Sequence, residues 1–527
     1  MKNMCEYDLL IRNARVIDGT GAPAFTAHVA VREGKIVLPV PENARGREEV
    51  DATGLTLCPG FIDAHSHGDS IFGTEAGRLC KVSQGITTEI VGQCGTTRWP
   101  VSQETDKREL FRQRMSNLPE EWENFTSLEN YLKWVNTQSL SCNFKTYVGH
   151  TALRIAAMGY DNRKPTAEEL ERMKAMVREA MEQGALGLSS GLVYAPSCYA
   201  DEEELIELCK VVAEYDGIYA THMRNESDRI EESVAESIRI AEKAGCRLNI
   251  SHHKISGKNN WGKSEKTLKQ IQDAIARGVP ITVDQYPYTA SSTGLNASLP
   301  KEVFSCGPEK LQEKLKDPAF RASIKEQTEA GRMRSCGGWS GVLISSAVNT
   351  PEAAGLTMVQ YAEKIGKEPF EACCDILAAG SATAIYFSMD EGDLLRIGAF
   401  EHTVVGTDGL VRDLVTQSHP RGFGSFPRAY RLFVREHKLL SAEEMIRKMT
   451  GLTAERFGLK GKGIIANGMD ADLVLVNEEI LSDRATYSDG LALCEGVERV
   501  FVSGKTVYRD KQLTDEAPGR FIPHCMD

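Results

Sequence analysis

The run Phe61-Ile62-Asp63-Ala64-His65-Ser66-His67 is apolar and ends in two histidines one residue apart. Side chains alternate with period two along a strand, so both imidazoles point to the same side of the chain and reach one metal ion. Three more apolar runs end in a metal-ligand type of residue: Thr88 to Cys94, Gly217 to His222, and Arg247 to His252. The chain has only 11 histidines, and four of them close such runs. Taken singly, each reads as a satisfied polar group and Cys94 as a small core residue, but together they read as a metal site. Thr403-Val404-Val405-Gly406-Thr407-Asp408-Gly409 adds a carboxylate at another strand end. An Asp there commonly caps the next helix, whereas beside a metal-activated water it serves as a general base. Neutral imidazole and thiolate suit zinc, and a catalytic zinc keeps three protein ligands and a water whose pKa falls to about 7. The implied chemistry is hydrolysis of an amide or similar acyl bond.

Such residues converge only if the elements carrying them are parallel strands. Candidate strands end near Asp63, Val91, Val148, Ser190, His222, His252, Gln285 and Gly406. Helical patterns follow several of them, at Ala167–Gln183, Glu202–Tyr215, Arg229–Ala244 and Lys266–Arg277. About eight β-α units favour an α/β fold, a closed (β/α)8 TIM-like barrel whose C-terminal strand ends share one mouth. Alternation over 7–18, short strands at His28–Val31, Lys35–Val37 and Leu55–Leu57, and a similar texture at 471–476 and 497–507 predict a small β-sandwich built from both termini. Ser503-Gly504 marks a hairpin turn. The expected division is 1–57 with 464–527 for the sandwich and 58–463 for the barrel. An inserted subdomain is expected at about 295–380, before the last barrel strand. The surplus strand Ala384–Phe387 goes with that insertion, and 317–341, with Gly331, Gly337 and Gly338, reads as loop-rich.

Composition excludes other classes. The 527 residues are 41% hydrophobic and 26% charged, with a net charge of −12. That charge and the lack of a basic run disfavour nucleic acid and anionic membrane partners. No stretch approaches the ~18 apolar residues that span a bilayer. The first fifteen residues lack the apolar core of an export signal. Fourteen cysteines without CxxC spacing, in a chain that needs no staples, read as reduced thiols in a cytoplasmic protein.

The HxH run after Pro59-Gly60, histidines ending two later strands, an Asp ending the last and a split terminal sandwich resemble the amidohydrolase superfamily. Within it, Val91-Gly92-Gln93-Cys94-Gly95, Gly191 to Pro196, His222-Met223-Arg224-Asn225-Glu226, Ser251-His252-His253-Lys254, Asp284-Gln285-Tyr286-Pro287-Tyr288 and His419-Pro420-Arg421 resemble the D-aminoacylase (N-acyl-D-amino-acid deacylase) family. The match runs from about Tyr7 to Asp510. The resemblance implies that Cys94, His222 and His252 hold a tight zinc, while His65, His67 and Asp408 border a second, weaker metal position. It implies that Cys94 takes the place of the carboxylated lysine of dihydroorotase and hydantoinase relatives; the fourth strand, Gly184–Ser190, has no lysine. It places Tyr194, Lys254 and Ser291 against the substrate carboxylate, with Arg421 as a further candidate for that anion. The implied substrate is a small-molecule N-acyl-D-amino acid, and Asp408 is the implied catalytic base.

Other readings attach to some of these residues. A lysine two residues past a strand-end histidine is usually solvated, and a Tyr-x-Pro turn is usually structural. By strand alternation His253 points away from His252 and is structural, and His150 is a donor at the rim or behind the ligands. The alternative functions are an amidohydrolase acting on dipeptides or cyclic amides, and an inactive scaffold.

Overall fold

The computed structural model describes residues 6–115 and 117–525. Eight parallel strands form the barrel: β1 (Phe61–Asp63), β2 (Ile86–Val91), β3 (Asn143–Thr146, continued by Val148–Gly149), β4 (Gly187–Gly191), β5 (Ile218–His222), β6 (Arg247–Ile250), β7 (Ile281–Gln285) and β8 (Thr403–Val405). Registers such as Gly191↔His222 and Gln285↔Val405 bring the strand ends level with one another. The seam between β8 and β1 closes through Ala64 N to Val405 O at 3.1 Å and Asp408 N to His65 O at 2.8 Å. Nearly every residue of these strands is buried, which is why they read as continuous apolar runs rather than alternating ones.

Helices Ala167–Glu182, Glu202–Ala213, Ile230–Ala244 and Ser264–Ala276 cover the outside, within two residues of the expected bounds. Local chemistry sets their ends. Thr166 and Glu169 form a reciprocal capping box, Asp201 caps Glu204 N, and Gly245 takes the left-handed C-terminal position at φ 73°.

The expected terminal sandwich is one continuous nine-stranded sheet. Thr56–Pro59 joins its halves, pairing parallel with Tyr7–Val16 and antiparallel with Leu473–Val476. Alternation sorts the faces: Leu473 and Leu475 pack with Leu9, Ile11, Val29 and Val31 inside the sheet's own core, while Val474 and Val476 pack on Phe61 and Phe426 of the barrel. Ser503 and Gly504, at φ 50° and 76°, make the expected tight hairpin. After Lys505–Arg509 and Gln512–Leu513, which are still part of it, the chain leaves this sheet. Phe144 N and Ile522 N bond Arg520 O and Phe144 O at 2.9 and 2.8 Å, so the tail runs along β3.

The insertion has its own core around Trp339, Phe370 and Ile376, and a three-stranded antiparallel sheet of Ala290–Gly294, Ala382–Phe387 and Val342–Ala347. The first of these strands starts before the expected boundary, and the surplus strand is central. The loop-rich reading of 317–341 is corrected: Pro318–Cys336 is a helix. Asp317 caps it, Pro318 occupies its first position, and Gly337 ends it at φ 71°. Gly331 faces open space and is tolerated inside.

No helix among the described residues is long and apolar enough to cross a membrane. Every described cysteine is a free thiol.

Candidate metal centre and active site

The strand ends turn sharply at the ligands themselves. Cys94, His252 and Asp408 have φ of 54°, 35° and 46°, a left-handed region that costs a side-chain-bearing residue on the order of 1–3 kcal/mol and is found at functional sites. Glycine would relieve the backbone there but carries no ligand atom. Where no ligand is needed the chain does use glycine: a Cβ on Gly406 would lie 2.6 Å from His65 Cβ, so only glycine lets β8 pass the first histidine.

The turned ends bring six side chains together. Cys94 Sγ lies 3.3 Å from His252 Nε2, 3.4 Å from His65 Nε2 and 3.7 Å from His222 Nδ1. His67 Nε2 lies 3.1 Å from Asp408 Oδ1. The ligand atoms of Cys94, His222 and His252 lie within 4.8 Å of one another, as do those of His65, His67, Cys94 and Asp408. Two groups that could each hold a metal ion therefore have the Cys94 sulfur in common. One thiolate, four imidazoles and a carboxylate, nearly all buried, fit zinc.

Electrostatics favour the ligating forms. Burial pushes the Cys94 thiol up, but His252 and His65 outweigh it and hold it well below the usual thiol range. Burial likewise opposes ionisation of Asp408, and Arg421, followed by His252, overcomes it and keeps the carboxylate ionised.

Behind the ligands stand two carboxylates to which sequence reasoning gave no role. Asp284 Oδ1 accepts His252 N at 2.7 Å and lies 3.2 Å from His65 Nδ1, while its Oδ2 accepts Asn249 Nδ2 at 2.7 Å. Glu226 Oε1 lies 3.2 Å from His252 Nδ1, and its Oε2 lies 3.5 Å from His222 Nε2. Such carboxylates fix the tautomer and aim of a ligating ring. The signal in the sequence was a carboxylate inside each of the motifs ending β5 and β7.

The expected substrate contacts fall around one side of this centre. Tyr194 packs edge-on to His222 and its hydroxyl is 3.0 Å from Thr293 Oγ1. Ser291 is half-buried on the same face of its strand as Thr293. Lys254 Nζ is 2.6 Å from Glu226 Oε1 and 2.8 Å from His252 Nδ1. Arg421 is 2% exposed, stacks on Tyr286 at 4.6 Å, donates from Nη2 to Ser292 O and forms an ion pair with Asp408 at 2.8 Å. Its Nη1 is the atom that faces Asp408 Oδ2, while its buried Nε makes no hydrogen bond. His253, as expected from alternation, faces away and bonds Thr267 at 2.9 Å. His150 is fully buried between Ser197 and Glu204, behind the loop that carries Tyr194.

A family model described as the amidohydrolase family matches residues 48–331 and 402–508. The chain belongs to this family. Between its two parts the match leaves out 332–401, which holds more than half of the insertion. This amidohydrolase is 35% identical over 520 residues to an N-acyl-D-aspartate deacylase of Alcaligenes xylosoxydans xylosoxydans, covering 98% of this chain and 95% of that protein. It is 34% identical to a D-aminoacylase of the same organism, covering 98% and 97%. Its fold matches that of an N-acyl-D-glutamate deacylase from Bordetella bronchiseptica, solved with zinc and a phosphonate mimic of the tetrahedral intermediate. The TM-score is 0.84, with 33% identity over 98% of this chain and 99% of that one. The family resemblance read from the motifs is thereby established.

Proposed function

We propose that this amidohydrolase hydrolyses the amide bond of N-acyl-D-amino acids, giving a carboxylate and a free D-amino acid. The observation that carries the reading is the pairing of Arg421 with Asp408 at 2.8 Å: a buried cation with an unused Nε donor sits beside the base. The 33–35% identity to three D-selective deacylases supports it.

Zinc held by Cys94, His222 and His252 would acidify a water and polarise the acyl carbonyl, and a second ion would sit between His65, His67 and Asp408. The chain's own groups do the rest. Asp408, kept ionised by Arg421, accepts the proton of the attacking water and returns it to the departing amine nitrogen. The Arg421 guanidinium, through its free Nε and its charge, takes the α-carboxylate, with Tyr194, Lys254 and Ser291 around it. Fixing the carboxylate and the acyl carbon at two points leaves the side chain two directions, and a wall that closes one of them selects one enantiomer.

The test is metal analysis coupled to a panel of N-acetyl-D-Met, D-Leu, D-Glu and D-Asp, their L-forms, hydantoins and dipeptides. The expected result is bound zinc and turnover of D-forms alone. Turnover confined to hydantoins or dipeptides overturns the substrate class, and zinc-free protein without any hydrolysis overturns the enzyme.

A further inference from the structure

We propose that Lys81 is a positioning residue for the reaction: it locks the seam between β1 and β8 and so sets His65 and His67 against Asp408. The inference rests on the reading of the metal centre above, but concerns a lysine outside it.

Among the described residues, no continuous ladder crosses the seam. β1 and β8 are three residues each, so few ladder bonds hold them, yet His65 and His67 follow one and Asp408 follows the other. A buried network supplies what the ladder lacks. Lys81 comes from the helix Glu75–Val82 and is 2% exposed. Its Nζ donates to Asp63 Oδ2 at 2.6 Å, to Ser66 Oγ at 2.8 Å and to Thr407 Oγ1 at 3.2 Å. These acceptors stand directly beside the ligands: Ser66 lies between the two histidines, and Thr407 precedes Asp408.

The acceptors are themselves cross-tied. Asp63 Oδ1 accepts Thr407 N at 2.8 Å and His65 N at 3.2 Å, while its Oδ2 accepts Thr407 Oγ1 at 2.6 Å. Ser66 Oγ donates to Glu89 Oε2 of β2 at 2.6 Å and accepts Gly68 N at 2.9 Å. One ammonium thus fastens a β1 carboxylate, the residue between the histidines and the residue before Asp408 to a common point. A buried lysine with two carboxylates near it persists only where each of its donors is used, and here each goes to a different part of the seam. None of the lysine's hydrogen bonds goes to Cys94, His222 or His252.

The test compares Lys81→Met, Thr407→Val and Thr407→Ser with the unmodified enzyme, each checked for native circular dichroism. Zinc titration after removal by dipicolinate reads both metal positions without reference to substrate. Lys81→Met is expected to weaken the position bordered by His65, His67 and Asp408 by about 10- to 100-fold and to lower kcat similarly. KM and the tight position stay within about twofold. Thr407→Val, which cuts the lysine's tie to β8 without stranding a charge, gives the same effect in smaller degree, and Thr407→Ser restores it. If Lys81→Met does not fold, the Thr407 pair decides. Unchanged weak-position affinity and kcat in folded Thr407→Val overturn the proposal. So does equal loss at both metal positions, which marks a merely structural lysine. Failure of the deacylase reading shows instead as inactivity of the unmodified enzyme, with the zinc readout intact.

Discussion

Lys254 Nζ lies 2.6 Å from Glu226 Oε1, so the lysine expected to clamp a substrate carboxylate already holds a carboxylate of its own chain. The same ammonium is 2.8 Å from the outer nitrogen of His252. Glu226 thereby governs two things at once: where Lys254 can reach, and how His252 and His222 face the sulfur. Burial opposes ionisation of Glu226, but Lys254, then His222 and His252, overcome it and hold the carboxyl well below its ordinary range.

Replacing Glu226 by Gln keeps the shape and removes the charge. Zinc affinity at the Cys94, His222 and His252 position is expected to fall by about 10- to 100-fold. Competition with a chromophoric chelator measures it. Unchanged affinity would show that ring orientation there is set by packing alone.

Asp408→Asn tests the base. Loss of general-base assistance is expected to lower kcat by about 10²- to 10⁴-fold, while zinc at the tight position stays, since none of its ligands is touched. Steady-state rates and zinc stoichiometry on the same sample check both halves. Near-normal turnover refutes the role.

Arg421→Met removes the buried donors. A charged hydrogen bond left unmade costs about 1.5–3 kcal/mol, so kcat/KM for N-acyl-D-amino acids is expected to fall at least about tenfold. Arg421→Lys rescues poorly, because an ammonium cannot reproduce the planar fork stacked on Tyr286. An amide-capped substrate, lacking the α-carboxylate, is expected to lose less than the free acid in both variants, its remaining loss reporting the support that Arg421 gives Asp408.

Removing zinc exposes the sulfur chemically. Cys94 is held as a thiolate by His252 and His65, and thiolates are the reactive form. The zinc-free protein is expected to gain one fast-reacting thiol towards a disulfide reagent, a gain absent in Cys94→Ala. Other buried cysteines, such as Cys58 and Cys142, are pushed up by burial and stay slow.

Acid stability carries the signature of His253. Burial, then Lys254, lowers its pKa from 6.5 to about 4. The unfolded chain binds this proton more tightly, so the contribution is fully present above pH ~6.5 and is lost as pH falls towards ~4, on the order of 3 kcal/mol. Urea midpoints between pH 7 and 4.5 are expected to fall more steeply for the unmodified protein than for His253→Gln.

Much of the site was legible because the fold imposes a simple rule on its ligands. Parallel barrel strands bury both faces, so they show as apolar runs, and a polar residue closing such a run stands at the mouth. His65, His67, Cys94, His222, His252 and Asp408 all obey it. The helix Pro318–Cys336 was less legible, since Gly331, Gly337 and Gly338 read as loop although two of them only terminate it. The roles of Asp284 and Glu226 were hidden because a carboxylate behind a ligand has no spacing of its own; its partners lie on neighbouring strands.

The sequence alone determined the donor types, the order of strands and helices, and which residue ends each strand, because these depend on alternation and capping within a few neighbours. Tertiary structure alone decided that the Cys94 sulfur lies within reach of both groups of candidate ligands, that Lys254 is tied to Glu226, and that Lys81 bonds residues at the ends of both β1 and β8. Those relations depend on distances across the closed barrel, and the closure brings together groups up to 344 residues apart in the chain, a proximity that no local pattern encodes.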